Sequence, residues 1–194
     1  MTRYDSTTAL LVVDVQNDFA DPAGGLYVSG GEEVVPLVNA EITAARTAGA
    51  LAAYTQDWHP ESTPHVAKDG GIWPVHCVRD TWGAEFHPDL DVDGPVVRKG
   101  TGGEDGYSGF SVRDPRSGER ADTALGVLLA EAGVRRVVVA GLAGDYCVKD
   151  TSLDATRLGL AAEVPLALTR FVALAEGDEA AAVAAMREAG VIVV

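Results

Sequence analysis

The sequence predicts an α/β fold, specifically a three-layer α/β/α sandwich around a six-stranded, mostly parallel sheet. Two observations support this prediction. The apolar runs that end at Val15 and begin at Val137 do not alternate with polar residues, which is typical of strands buried on both faces of a parallel sheet. Such runs alternate along the chain with segments of helical periodicity, as expected when helices cover both faces.

The strands are predicted from short apolar, β-branched runs bounded by glycine, proline or charged residues. In chain order they lie at 9–15, 51–55, 95–99, 137–139, 160–168 and 191–194. No linker, internal repeat or low-complexity tract divides them, so residues 1–194 are interpreted as one domain.

The helices are predicted from apolar residues that recur at steps of three and four. The first covers 32–48, after a loop rich in glycine and proline, and the second covers 122–131 with Asp122 as its N-cap. A third begins at Cys147, and a fourth covers 178–189. The segment SVRDPRSGER between the third strand and the second helix is interpreted as a polar turn.

Composition and charge exclude several classes of function. The formal net charge of −14 argues against nucleic acid or an anionic membrane as partner. No apolar run is long enough to span a bilayer, and the first residues, MTRYDSTT, lack the apolar core of a signal peptide, so the cytoplasm is the expected location. The two cysteines, Cys77 and Cys147, do not form a disulfide framework.

Reactive side chains fall at the predicted strand ends. Asp14 lies at the end of the first strand, Lys99 ends the third, and Cys147 follows the fourth across a glycine-containing turn. Because the carboxyl ends of parallel strands share one edge, an acid, a base and a nucleophile are expected to converge there. Taken singly, each has a plainer interpretation, as a cap, a solvated lysine or a buried cysteine. The helix N-terminus and Lys99 predict a lowered pKa for the Cys147 thiol.

A metal site is predicted from an aspartate and three histidines within 57–76. Asp57 and His59 are two residues apart at the end of the second strand, so they point the same way, and His65 and His76 follow in one long loop. Imidazole and carboxylate ligands suit zinc, iron or manganese. The alternative is that these are surface histidines of a polar loop, as His87 is interpreted to be.

Motifs spread from the first strand to the helix after Cys147 resemble those of the isochorismatase-like cysteine hydrolases, and within them the nicotinamidases (pyrazinamidases). The matching stretches are V-D-V-Q-N-D-F at 13–19, D-W-H at 57–59, H at 65, W-P-V-H-C-V at 73–78, G-A-E-F-H-P at 83–88, R-K-G at 98–100, Y-S-G-F at 107–110 and A-G-L-A-G-D-Y-C-V at 140–148. The resemblance implies the isochorismatase-like hydrolase fold and hydrolysis of nicotinamide to nicotinate and ammonia through a cysteine thioester.

The resemblance also implies roles for particular residues. It implies a catalytic triad, one divalent metal ion (zinc, iron or manganese), an aromatic substrate pocket, and a cis peptide between Leu142 and Ala143 that lets the N–H groups of Ala143 and Cys147 form an oxyanion hole. The triad is Asp14, Lys99 and Cys147; the metal ligands are Asp57, His59, His65 and His76; the substrate-binding residues are Phe19, Trp73, Tyr107, Ala143 and Tyr146.

Departures from the family pattern leave the substrate open. Gly144 stands where many relatives carry Thr or Ser, Tyr146 where some carry His, and the loop from His65 to Trp73 is short. The expected partner is a small aromatic amide, with homo-oligomer formation left open. The alternatives are another cysteine amidase or hydrolase of the same family acting on a different small amide, and a non-catalytic or redox-sensing protein that uses Cys77 and Cys147.

Overall fold

The computed structural model describes residues 3–194, so the first two residues of the predicted domain lie outside the described residues. The helices and strands are, in chain order, β1 (Thr8–Val13), α1 (Asn17–Ala20), α2 (Gly31–Thr47), β2 (Leu51–Asp57), β3 (Val96–Lys99), β4 (Ser111–Arg113), β5 (Arg120–Asp122), α3 (Leu125–Glu131), β6 (Arg136–Leu142), α4 (Cys147–Arg157), β7 (Ala161–Val164), β8 (Thr169–Arg170), α5 (Asp178–Glu188) and β9 (Ile192–Val193).

Six strands form the central sheet in the order β3-β2-β1-β6-β7-β9, and the two-residue β8 extends it beside the end of β6. Every pairing in this sheet is parallel, so the predicted α/β class and six-stranded parallel sheet are confirmed. The register places Val13 opposite both Thr55 and Gly141, and Asp57 opposite Lys99. The ends of β1, β2, β3 and β6 therefore lie side by side.

The core has two parts, one on each face of the sheet. Leu10 and Val12 of β1 face α2, where they pack in one cluster with Val34 and Ile42. The alternate residues of β1 face α3, α4 and α5 and pack in a second cluster that includes Leu125, Val148 and Met186. This alternation is the physical reason for the continuous apolar runs, because both faces of each central strand are covered.

Most element boundaries differ from the prediction by one to three residues, and two of the differences change an assignment. The predicted strand at 160–168 ends at Val164, because Pro165 has no N–H for the ladder, and a 3₁₀ turn at Leu166–Leu168 separates it from β8. The helix predicted to start at Asp122 starts at Leu125 instead. Asp122 is the last residue of β5 and does not cap that helix.

The segment interpreted as a polar turn contains a two-stranded antiparallel hairpin, β4 with β5. Its strands are three residues each and largely exposed, so they lack the apolar alternation that would have predicted them. Within residues 3–194, the structure contains no helix with the length and apolar character needed to cross a bilayer.

Candidate active site

The ends of β1, β3 and β6 bring together the three residues predicted as a catalytic triad. The Nζ atom of Lys99 lies 2.9 Å from Oδ2 of Asp14 and 3.7 Å from Sγ of Cys147. The same ammonium contacts Oδ1 of Asp57. All four side chains are buried, so the single lysine balances two carboxylates away from solvent.

Asp14 is held by both its backbone and its side chain. It has a φ of 49°, in the left-handed region that non-glycine residues rarely adopt, immediately after β1 ends. The Oγ1 of Thr55 donates a hydrogen bond of 2.7 Å to Oδ1 of Asp14. Thr55 was not among the predicted site residues, because a threonine inside a strand carries no sequence signal of this contact.

Cys147 is the first residue of α4 and follows a tight turn. The peptide bond between Leu142 and Ala143 is cis, as predicted. The N–H groups of Tyr146 and Val148 both donate to the Ala143 carbonyl. Among residues 3–194, the N–H groups of Ala143 and Cys147 donate to no protein acceptor, so both are available to a ligand oxygen. Their role as an oxyanion hole stays a prediction.

The electrostatics of this cluster correct one prediction. Burial raises the pKa of the Cys147 thiol well above its usual range; Lys99 opposes this, and Asp14 and Asp57 add to it. The predicted lowered pKa is therefore wrong, because burial and two carboxylates outweigh the lysine and the helix N-terminus. Burial also raises the pKa of Asp14, although Lys99 lowers it, while the two carboxylates outweigh burial and raise the pKa of Lys99.

Three of the predicted metal ligands form a compact cluster. His59, His65 and His76 each present a ring nitrogen, and these atoms lie within 4.8 Å of one another. Asp57 lies at the border between this cluster and the triad. Its Oδ2 is 3.6 Å from Nε2 of His59, while its Oδ1 contacts Lys99. Burial raises the pKa of Asp57, but the Lys99 ammonium, with a smaller contribution from His59, outweighs it and lowers that pKa, so Asp57 is a carboxylate.

The histidine cluster fits a divalent metal ion. Nδ1 of His65 is 2.8 Å from the Thr63 hydroxyl and Nδ1 of His76 is 2.7 Å from the Pro74 carbonyl, which leaves Nε2 of each ring for another partner. Nε2 of His65 and Nδ1 of His59 are buried without a hydrogen-bond partner among the described residues. Burial lowers the pKa of His65 to about 4 and also lowers that of His76, so both rings are neutral, as metal ligation requires.

A small cavity opens beside Cys147 and is lined by all five predicted substrate-binding residues. Trp73 and Tyr146 meet edge to face at 4.9 Å, and Nε1 of Trp73 donates to the Tyr107 hydroxyl. Phe19 lies against His76 with ring centroids 5.5 Å apart. The cavity therefore joins an aromatic wall, the histidine cluster and the cysteine, which is the chemistry of a small-molecule site.

Sequence reasoning missed other residues that shape the cavity. Leu26, Val28 and Val172 supply an apolar wall from loops that no motif marks. At Gly144, a Cβ would come within 2.6 Å of the Phe171 ring. The absence of a side chain at Gly144 therefore leaves room for this ring, which directly precedes the wall residue Val172.

Gln16 fixes the backbone of Asp57 from both sides. Its amide donates to the Asp57 carbonyl and accepts from the Asp57 N–H, each at 2.8 Å. Gln16 was not among the predicted site residues, although its position in the V-D-V-Q-N-D-F stretch could have indicated it.

The chain is similar to known proteins along most of its length. The isochorismatase domain matches residues 8–194. The chain is 39% identical to the nicotinamidase/pyrazinamidase of Mycobacterium tuberculosis over 171 residues, covering 84% of this chain and 87% of the relative. It is similar to PnC1 from L. infantum, solved in complex with nicotinate (TM-score 0.88, 36% identity, 98% of this chain and 94% of that one). It is also similar to a pyrazinamidase of Pyrococcus horikoshii solved in complex with zinc (TM-score 0.85, 38% identity, 97% and 98%).

Proposed function

The chain belongs to the isochorismatase family, and we propose that it is a metal-dependent amidohydrolase that converts nicotinamide to nicotinate and ammonia, and accepts pyrazinamide as well. The observation that carries this proposal is the cavity in which Cys147, the aromatic wall and His76 meet. The substrate would be a planar aromatic amide, with its carboxamide at the sulfur and its ring against Trp73 and Phe19.

In the first half of the reaction, the Cys147 sulfur attacks the carboxamide carbon. Asp14 takes the thiol proton and delivers it to the departing amine, so ammonia leaves and a thioester forms. The raised pKa of Asp14 suits this step, because it makes the carboxylate a stronger base toward the Cys147 thiol, whose own raised pKa makes it a weaker acid. Lys99 balances the charge as it passes from the Asp14 carboxylate to the sulfur.

In the second half, water hydrolyses the thioester. Asp14 accepts a proton from the water as its oxygen attacks the carbonyl carbon, and the proton returns to the sulfur as nicotinate leaves. The N–H groups of Ala143 and Cys147 would stabilise the oxyanion that develops in both halves. Each donor would contribute about a hundredfold to a thousandfold in rate.

The proposed metal ligands are Asp57, His59, His65 and His76. A divalent ion held there would offer a coordination place to the ring nitrogen of the substrate. Because the sulfur nucleophile attacks without metal activation, we assign these ligands a positioning role, which selects amides whose carboxamide is meta to a ring nitrogen.

Ammonia release from a panel of amides tests this proposal. Nicotinamide and pyrazinamide carry the nitrogen in the meta position, benzamide has none, and picolinamide and isonicotinamide carry it elsewhere. Since misplacement of a reacting carbonyl costs about a hundredfold in rate, nicotinamide should exceed benzamide by at least that order. Equal rates across the panel would favour the alternative, another small-amide hydrolase of the family. No ammonia release at all would favour a non-catalytic protein.

A further inference from the structure

We infer that Asp18 is a positioning residue for the metal site, acting through the backbone of Cys77; the inference rests on the proposed ligands His59 and His76. Asp18 lies in the short helix α1. The N-cap of α1 is Gln16, and no side chain caps this helix.

The carboxylate of Asp18 joins two loops. Its Oδ2 accepts a hydrogen bond of 2.6 Å from the N–H of Cys77, and its Oδ1 accepts one of 2.8 Å from the N–H of Gly25. The backbone carbonyl of Asp18 also accepts from Leu26, a residue of the cavity wall. The side chain is therefore fixed at both oxygens, and hydrogen bonds to a carboxylate are stronger than those between neutral groups.

Cys77 connects this carboxylate to two proposed ligands. It directly follows His76 in the chain, and its carbonyl accepts a hydrogen bond of 2.9 Å from the N–H of His59. Its φ of 46° lies in the left-handed region, which a β-carbon disfavours, so this conformation depends on the contacts around it. The hydrogen bond that the Cys77 N–H donates to Asp18 is one of those contacts, and its loss would release the backbone on which both histidines depend.

Gly83 shows how closely the carboxylate is packed. A Cβ at this position would lie 2.2 Å from Oδ2 of Asp18, so alanine would push the carboxylate off the Cys77 N–H. The φ of Gly83 is not in the left-handed region, so alanine is compatible with the backbone there. Gly83→Ala therefore perturbs the same contact as Asp18→Asn, from the other side and without removing a charge.

Zinc titration of the metal-stripped protein against a chromophoric chelator tests the inference without using activity. Asparagine offers one acceptor where two N–H groups need one each, so Asp18→Asn should lower zinc affinity tenfold to a hundredfold, as loss of a ligand-supporting contact does. Gly83→Ala should lower it similarly. The double variant should bind zinc no more weakly than the weaker-binding of the two single variants, because both changes break the same contact between Asp18 and Cys77.

Asp21→Asn is the matched control, since Asp21 bonds the Ala23 N–H in the same loop and does not contact Cys77. Asp21→Asn should keep the wild-type affinity for zinc. A loss of zinc affinity equal to that of Asp18→Asn would mean that any change in this loop disturbs the site, and it would overturn the inference. Wild-type affinity in folded Asp18→Asn, or a wild-type protein that binds no zinc, would overturn it too. If Asp18→Asn does not fold, Gly83→Ala decides. Loss of zinc affinity in a protein that does not hydrolyse nicotinamide would uphold the inference and refute the proposed function.

Discussion

The two cysteines differ in what surrounds each sulfur atom. Sγ of Cys147 lies 3.7 Å from the Lys99 ammonium and borders the cavity, whereas Cys77 is fully buried with its sulfur near the Gly83 carbonyl. We expect Cys147→Ala to lower kcat for nicotinamide at least about a thousandfold, because removing the nucleophile disables the whole triad. Cys77→Ala should stay active. A steady-state ammonia assay on folded variants measures both, and near-wild-type turnover by Cys147→Ala would contradict the proposed nucleophile.

The thiol of Cys147 should react with iodoacetamide slowly at neutral pH. Burial and two carboxylates raise its pKa, so the thiolate fraction is small below the ordinary thiol value of about 8.5 and increases only as the pH approaches the higher folded value. The alkylation rate, followed by mass spectrometry at a series of pH values, should therefore still be rising above pH 8.5. Rapid alkylation of Cys147 near pH 6 would show a stabilised thiolate instead.

Thr55 should tune the basicity of Asp14. Burial raises the pKa of the Asp14 carboxyl, and the hydrogen bond donated by the Thr55 hydroxyl opposes this increase. In Thr55→Val that pKa rises further, the base is protonated up to a higher pH, and the acid limb of the pH profile of kcat/KM should move to higher pH. The neutral-pH rate should fall about tenfold, as expected for one hydrogen bond to a charged group.

Thr47→Val is the control for this experiment, because the exposed Thr47 hydroxyl bonds only the Thr43 carbonyl one helical turn away. Its profile should coincide with that of the wild type. An unchanged acid limb in Thr55→Val would show that Asp14 is not the group whose titration limits the rate.

At the scale of elements, the pairing of β1 with β6 depends on a glycine. Gly141 has a φ of 117°, and a Cβ there would lie 2.1 Å from the Val13 carbonyl oxygen, next to Asp14. Gly141→Ala should lower the free energy of unfolding by roughly 2–4 kcal/mol, through backbone strain and overpacking. Urea denaturation followed by circular dichroism measures the change.

Gly126→Ala in α3 is the matched substitution, since the nearest atom to its added Cβ is 3.9 Å away on Phe110. It should raise the free energy of unfolding by about 0.5 kcal/mol, because alanine loses less entropy than glycine in a helix. A tolerated Gly141→Ala would mean that the two strands can separate at their ends without loss of stability.

At the scale of the whole molecule, the proposed metal site joins the end of β2 to the loop that carries His65 and His76. Zinc that binds only the folded chain should stabilise it by about 2.7 kcal/mol at a hundredfold excess over Kd. For a chain of this size that amounts to roughly 5–10 °C in Tm. Calorimetry of the metal-stripped protein with and without zinc measures the shift.

Two histidine variants locate this stabilisation. His76→Ala should lose most of the zinc-dependent shift, whereas His87→Ala should keep it, since the histidine cluster comprises His59, His65 and His76. A shift that survives in His76→Ala, or disappears in His87→Ala, would place the stabilising zinc elsewhere.

The sequence alone determined the sheet and the edge at which the reactive residues meet. Uninterrupted apolar runs reveal strands that are buried on both faces, and a residue at the end of such a strand must lie at the carboxyl edge of the sheet. The strand-end positions of Asp14, Lys99 and Cys147 therefore predict that these residues meet, and the motifs predict His59 and Trp73 beside them.

Only the tertiary structure decided what lies between distant segments. The hydrogen bonds from Thr55 to Asp14 and from Cys77 to Asp18 join positions 41 and 59 residues apart, and no sequence periodicity indicates such pairs. The direction of the Cys147 pKa shift also depends on contacts between distant segments. The local features, a helix N-terminus and a lysine, favour the thiolate, but burial and the two carboxylates that the sheet brings together favour the thiol. Desolvation is a property of the assembled fold, so the sequence could place this sulfur but could not determine its charge.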